Sequence, residues 1–91
     1  MPRPRRRRFV EEFDGATYFK PAGVCMRELS EVVLFADEFE ALRLKDCVGK
    51  NQQEAAEQMG ISQPTFHRLV TVARKKVVDA LVNGKAIRIE Q

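Results

Sequence analysis

The sequence predicts a mostly α-helical domain with a three-helix core and short β-strands near both ends. Apolar residues recur at helical spacing over residues 37–46, 52–60 and 63–82. Glycine follows within a few residues of the end of each periodic segment, at Gly49, Gly60 and Gly84. Two other short segments, 16–20 and 85–90, have the composition or the alternation of strands instead.

Composition indicates one small soluble domain. Of the 91 residues, 44% are hydrophobic and 32% are charged, and no apolar run approaches the length of a membrane span. The basic N-terminus lacks the apolar stretch of a secretory signal, so we expect a cytoplasmic protein without a membrane partner. Residues 1–8 are expected to form a disordered basic arm, and residues 9–91 a single domain.

The net charge of +3 is unevenly distributed. Residues 1–8 carry +5, residues 9–59 carry −6 and residues 60–91 carry +4. Positive charge therefore concentrates in the arm and around the third helix. Two basic ends on an acidic middle favour a nucleic acid partner more strongly than the overall charge does.

Before the first helix, the sequence predicts one strand and a segment that fits two structures. A strand is expected at Ala16–Lys20, where Pro21 and Gly23 stop it. Residues 26–33 fit either a short helical turn or an extended piece, and residues 32–35 are apolar enough to be buried in both cases.

The first helix is expected from about Asp37 to Asp46, with Gly49 as its breaker. Its apolar residues Phe35, Phe39 and Leu42 repeat at helical spacing. The intervening charged residues are expected to point mostly outward, and the acids among them to form a solvated face: Asp37, Glu38, Glu40, Arg43 and Lys45.

Residues 52–71 have the pattern of a helix-turn-helix. Asn51 and Glu54 are spaced as a capping box at the start of the second helix. Gly60 tolerates the positive φ of the turn, and Ser62 can cap the third helix with Pro64 inside its first turn. Small residues where the helices cross and larger ones where they share a core complete the pattern: Ala55, Ala56, Met59, Ile61, Phe66 and Leu69.

The third helix is expected from about Gln63 to Leu81 or Val82 and to end at Asn83-Gly84. Its predicted buried face follows the three-and-four spacing: Phe66, Leu69, Val70, Ala73, Val77, Ala80 and Leu81. A terminal strand at Lys85–Glu90 needs a partner, and Ala16–Lys20 is the candidate. The two strands could pair within one molecule or exchange between two, which makes them the candidate contact of a homodimer.

The outward side of the third helix contains the residues expected to read bases in a major groove. Gln63 can bind adenine through two hydrogen bonds, and Arg68 can bind guanine in the same way. The full predicted base-reading face is Gln63, Pro64, His67, Arg68 and Thr71.

Phosphate contacts are expected around this face. Arg74, Lys75 and Lys76 continue the helix, while Ser62 and Thr65 lie at its N-terminus, where backbone N–H groups attract anions. The arm offers either insertion into a narrow minor groove or a nonspecific phosphate tether, through Arg3, Arg5, Arg6, Arg7 and Arg8.

No enzyme site, cofactor or metal is expected. The sequence has one histidine, no Gly-rich phosphate loop and no nucleophile motif. Cys25 and Cys47 lack metal-binding spacing, so we expect reduced, partly buried side chains, with a disulfide or shared metal as the lesser alternative.

The chain resembles known families. Residues 37–46, 53–62 and 65–68 resemble the fourth region of bacterial sigma factors, which places its second motif helix in the major groove of promoter DNA. Over nearly its whole length it looks like a small prokaryotic family of predicted DNA-binding proteins without a known role. That likeness rests on the Met-Pro-Arg-Pro opening, the segment 19–23 and the closing segment 82–89.

Together these observations predict sequence-specific binding of double-stranded DNA by a transcriptional regulator. A single motif presents little base-reading surface, so a homodimer is expected. One alternative is an adaptor that binds RNA polymerase or another regulator through the acidic 37–57 surface. Another is an RNA-binding protein that uses the arginine-rich arm.

Overall fold

A computed structural model describes residues 15–90 as a helical body against a small sheet. No helix among these residues is long and apolar enough to cross a membrane. In chain order the elements are β1 (Tyr18–Phe19), a 3₁₀ turn (Met26–Glu28), β2 (Glu31–Phe35), α1 (Ala36–Leu42), a π segment (Arg43–Val48), α2 (Gln52–Met59), α3 (Gln63–Asn83) and β3 (Ala86–Glu90).

The sheet has the order β1-β3-β2, so the C-terminal strand lies in the centre. β1 pairs antiparallel to β3, with Tyr18 opposite Arg88. β2 runs parallel to β3, from Glu31 opposite Ala86 to Phe35 opposite Glu90. The two predicted strands are present in shorter form, and the undecided segment 26–33 contains both the 3₁₀ turn and the start of β2.

The strand pairing argues against the terminal strands as the contact of a homodimer. Both edges of β3 are occupied within the chain, by β1 on one side and by β2 on the other. An exchange of the terminal strand between two copies would have to break these pairings, and the outer edge of β1 offers only two residues. Dimerisation itself stays a prediction.

The first helix differs from its predicted form. It begins at Ala36 and continues from Arg43 to Val48 as a π segment, which ends at Gly49 with a left-handed φ of 87°. Helical spacing alone does not distinguish this wider turn from an α-helix. The π segment keeps Leu44 buried and leaves Asp46, Cys47 and Val48 exposed.

The predicted outward orientation of the acids in α1 is wrong. Asp37, Glu38 and Glu40 are at most 5% exposed. Glu40 forms an ion pair with Arg43 at 2.8 Å. Glu38 accepts hydrogen bonds from the Phe35 backbone N–H at 3.0 Å and from the Lys76 ammonium at 2.6 Å. Carboxylates are tolerated inside a protein when they are paired in this way.

Two hydrophobic clusters share α3. The first joins α1, the π segment, α2 and the N-terminal half of α3, and is centred on the fully buried Phe66, Leu44 and Met59. The second packs Leu34 and Ile89 of the sheet against Ala73. The predicted buried face of α3 is confirmed except at Val77, which is partly buried, and at Leu81, which is 74% exposed. Leu81 lies on nearly the same side of the helix as the buried Val70, about three turns earlier, so it is exposed because the packing against this side ends before the last turn of α3.

Both cysteines are exposed and free, so their expected partial burial is wrong.

Substitution of Lys76 tests how much its contacts contribute to the packing between α3 and α1. Its ammonium bonds the Val33 carbonyl at 2.8 Å and lies 4.7 Å from the centre of the Phe35 ring, besides contacting Glu38. Lys76→Met keeps the apolar stem but leaves the Glu38 carboxylate buried without its ammonium partner. We expect it to lower the free energy of unfolding in urea by about 1–3 kcal/mol, less than the roughly 3–5 kcal/mol for breaking a fully buried pair, because Lys76 is partly exposed.

The matched control is Lys75→Met at the adjacent exposed position, where a change within about 0.5 kcal/mol is expected. Equal effects of the two substitutions would show that the Lys76 contacts do not stabilise this packing.

Candidate nucleic-acid interface

α2 and α3 are joined by a tight connection of three residues, 60–62. Gly60 has φ 68°, and its N–H bonds the Glu57 carbonyl at 3.1 Å. The Ile61 N–H then reaches back to the Ala56 carbonyl at 3.0 Å. These bonds satisfy the last carbonyls of α2 and reverse the chain at once, as expected for a left-handed C-terminal residue.

Small side chains let the two helices approach closely. Ala55 and Ala56 are at most 2% exposed and belong to the same cluster as Phe66 and Val70 of α3. The Gln52 amide donates to the Gln63 carbonyl at 3.2 Å, which ties the first turns of the two helices together. The predicted capping box is confirmed, since the Asn51 side chain accepts from the Glu54 N–H at 2.8 Å and the Glu54 carboxylate accepts from the Asn51 N–H at 3.4 Å.

The packing of α3 determines which of its residues face outward. Phe66, Leu69 and Val70 are buried, so the residues between them at helical spacing lie on the opposite side. That side contains the complete predicted base-reading face, every member of which is exposed: Gln63, Pro64, His67, Arg68 and Thr71. We call these five residues the outer face of α3.

Ser62 is the N-terminal cap of α3, as predicted. Its hydroxyl oxygen accepts a hydrogen bond from the Thr65 N–H at 3.3 Å and donates to the Thr65 hydroxyl at 2.9 Å. Both side chains are therefore engaged with each other in the first turn. They order the start of the helix, and the hydroxyl proton of Ser62 is already committed to Thr65.

The three basic residues after the outer face have different environments. Lys75 is exposed. Lys76, also expected to contact phosphate, instead points inward and pairs with Glu38 at 2.6 Å. Arg74 is exposed but forms two hydrogen bonds with Asp46, from Nε to Oδ2 at 2.9 Å and from Nη2 to Oδ1 at 2.6 Å. These bonds hold the pKa of the Asp46 carboxyl below its usual range.

The sequence did not predict that Asp46 lies beside this surface. It precedes Arg74 by 28 residues and belongs to the π segment, so no local spacing connects them. The arm residues Arg3, Arg5, Arg6, Arg7 and Arg8 lie outside the described residues.

The exposed side of α3 becomes apolar toward its C-terminus. Val78, Leu81 and Val82 are each more than half exposed. Leu81 also lines a shallow cavity of about 300 Å³ together with Phe19 and the Lys85 side chain. Along one helix, the outward residues thus change from polar to basic to apolar.

The fold and the surface define a small, mostly helical protein with a three-stranded sheet and an exposed polar and basic helix face. The chain belongs to the family described as protein of unknown function DUF134, whose model matches residues 1–91. The predicted membership in a small prokaryotic family without a known role is thereby confirmed.

Relatives with the name UPF0251 protein share more than half of their aligned residues with the chain. The protein from Moorella thermoacetica is 60% identical over 99% of this chain and 60% of its own length. Those from Pelotomaculum thermopropionicum and Caldanaerobacter subterraneus are 55% and 53% identical, over 98% and 99% of this chain and 67% and 76% of their own lengths. The chain thus spans about three fifths of the Moorella protein. No solved structure matches it.

Ser62 allows the stability of α3 to be tested separately from binding. Ser62→Ala removes the acceptor for the Thr65 N–H, and we expect it to lower the free energy of unfolding in urea by about 1 kcal/mol. Ser62→Asp supplies a carboxylate cap and should retain the stability.

Ser30→Ala is the control, because Ser30 is exposed and its carbonyl, which the substitution keeps, accepts from the Ala86 N–H at 2.9 Å. If Ser62→Ala and Ser30→Ala were equally stable, the cap would contribute nothing measurable to α3.

Proposed function

We propose that this protein binds double-stranded DNA in a sequence-specific manner, with α2 and α3 as a helix-turn-helix similar to that of sigma factor region four. In this proposal the N-terminal half of α3 enters the major groove, and the protein regulates transcription. The observation that carries the proposal is the outer face of α3, which collects five exposed residues directly after the tight connection at 60–62.

The chemistry of the outer face suits base edges. Gln63 has both a donor and an acceptor for the edge of adenine, and the Arg68 guanidinium matches the two acceptors of guanine. His67 and Thr71 lie on adjacent turns and can contact a base or the backbone. Because α3 is held by buried residues along its other side, these groups are presented by a rigid element.

Charge supports the same orientation. The sequence contains no acid from Gly60 through Val78, while Arg68, Arg74 and Lys75 are all exposed on α3. The N-terminus of the helix adds the partial positive charge of the helix dipole. A phosphate backbone that passes the middle of α3 therefore meets basic side chains between Arg68 and Lys75 and no acid of the helix.

Burial of the acids weakens the case for an adaptor that binds polymerase. That alternative depends on an acidic surface at residues 37–57, but Asp37, Glu38 and Glu40 are inside the protein. Asp46 is paired with Arg74 as well. The surface formed by the middle of the sequence is therefore less acidic than its composition indicates. For this reason we propose DNA as the partner.

Two copies on neighbouring half-sites would supply the base-reading surface that one motif lacks. We therefore propose a homodimer on DNA, and sedimentation of the protein with and without duplex tests it. A strictly monomeric complex on the preferred duplex would remove the dimer from the proposal.

Selection of random duplex DNA on the purified protein tests the function. We expect an enriched motif at moderate salt, and we expect Arg68→Ala to relax one guanine position at a cost of about 1–3 kcal/mol. Arg88→Ala is the matched control, because Arg88 is an exposed arginine on β3 that is paired with Glu31 at 2.8 Å. It should leave the motif unchanged.

Three outcomes contradict the proposal at different levels. Absence of any enriched motif excludes sequence-specific regulation. If structured RNA displaces the selected duplex in direct competition, the protein binds RNA in preference to DNA. A motif that Arg68→Ala leaves unaltered, or that Arg88→Ala changes equally, shows that the outer face of α3 does not read the bases.

Deletion of residues 2–8 tests the role proposed for the arginines of the arm. We expect weaker binding and a shallower dependence of log K on log salt, by about 0.9 for each phosphate that the arm neutralises in the full chain. Loss of a preference for A·T-rich flanks would indicate minor-groove insertion, whereas an unchanged flank preference would indicate a phosphate tether. An unchanged salt dependence would exclude both roles.

A further inference from the structure

Arg74 continues the outer face of α3 toward the C-terminus. His67, Thr71 and Arg74 succeed one another at intervals of four and three residues, so their side chains share one side of the helix. Arg74 lies about 4.5 Å along the helix axis beyond Thr71. It is thus the first basic residue that a phosphate would meet beyond the polar part of the outer face.

The Arg74 guanidinium is already paired with a carboxylate of the same chain. Asp46 accepts two hydrogen bonds from Arg74, and the two side chains are 39% and 53% exposed respectively. A guanidinium fork binds a carboxylate and a phosphate with the same bidentate geometry. Because the pair is exposed to water, its contribution to stability is small, and an incoming anion can compete for the arginine.

The negative charge of Asp46 is brought to this surface only by folding. Within α3 the first acid is Asp79, which is paired with Lys85 at 2.9 Å. Asp46 reaches Arg74 from the π segment between α1 and α2. The fold therefore places one carboxylate beside an outward stretch of helix that has no acid of its own.

We infer that the Asp46 carboxylate occupies in the free protein the place of a DNA phosphate, and that Arg74 exchanges one for the other on binding. The inference rests on the proposed function and extends the DNA contact surface to the junction of the π segment with α3. After the exchange, Asp46 has lost its arginine partner, and the loss of this ion pair offsets part of the gain from the phosphate contact. Asp46 thus lowers the affinity of the protein for DNA and also makes that affinity less dependent on the salt concentration.

The test compares duplex binding by the full chain, Asp46→Asn, Arg74→Ala and the double variant across a range of salt concentrations. A short random-sequence duplex is the probe, because the exchange involves phosphates and not bases. Asp46→Asn should bind about two- to fivefold more tightly, the effect of one exposed ion pair. Its plot of log K against log salt should be steeper by about one. In the Arg74→Ala background the same substitution should give much less gain.

Asp79→Asn is the matched control, since it also removes one exposed, ion-paired carboxylate and changes the net charge equally. The Asp79 carboxylate bonds Lys85 and Asn83, so its removal frees no arginine or lysine of the proposed DNA surface. We expect it to change duplex affinity much less than Asp46→Asn. Urea unfolding of each variant verifies that the fold is retained.

The outcomes separate the inference from the proposed function. Failure of the unsubstituted chain to bind duplex overturns both. If the chain binds and Asp46→Asn weakens binding, Asp46 holds Arg74 in place for the phosphate, and the exchange is wrong. If the gain is absent, equals that of Asp79→Asn or persists fully without Arg74, the exchange is also wrong, while the DNA-binding proposal stands.

Discussion

The packing of α3 is the constraint on which the rest of the structure depends. One side of this 21-residue helix is in contact with the body of the protein along most of its length, first with α1 and α2 through Phe66 and Val70, then with the sheet through Ala73. Burial of that side holds the two hydrophobic clusters together and leaves the opposite side exposed. The outer face of α3 is thus a consequence of core packing, and substitutions that loosen the core would also misplace the groups proposed to read DNA.

Local signals in the sequence predicted much of this arrangement. Asn51, Gly60 and Ser62 act over a few residues, so the start of α2, the connection at 60–62 and the cap of α3 could be located without knowledge of the fold. The sheet was harder to predict, because the order of strands depends on pairing between distant segments, and β3 gained a parallel partner in a segment that also fitted a helical turn. The exposed Leu81 shows the limit of periodicity, which identifies the buried side of a helix but not where its packing partner ends.

Charged residues were the largest source of error, and the reason is physical. An acid in a helix is expected to face water unless a partner compensates its burial, and for Glu38 that partner is Lys76, 38 residues later. The same kind of long-range pairing joins Asp46 to Arg74. These pairs affect the interpretation of the function as well as that of the fold. The acidic middle of the sequence loses much of its surface charge, and Lys76 is turned away from the proposed DNA interface. Arg74 is paired with Asp46, so a phosphate contact at Arg74 would require release of that carboxylate.

Mapping of amide chemical shifts of the isotope-labelled protein during titration with duplex DNA tests the central claim most directly, since it requires no substitution and no known operator. The account predicts that the largest changes, which should diminish at high salt, fall on the connection at 60–62 and on the outward residues from Gln63 to Lys75, with Asp46 among them. The β2–β3 pairing should be little affected. Changes centred instead on the sheet, around Glu31 and Arg88, or no changes at low salt, would contradict the proposal that α3 is the DNA-binding element.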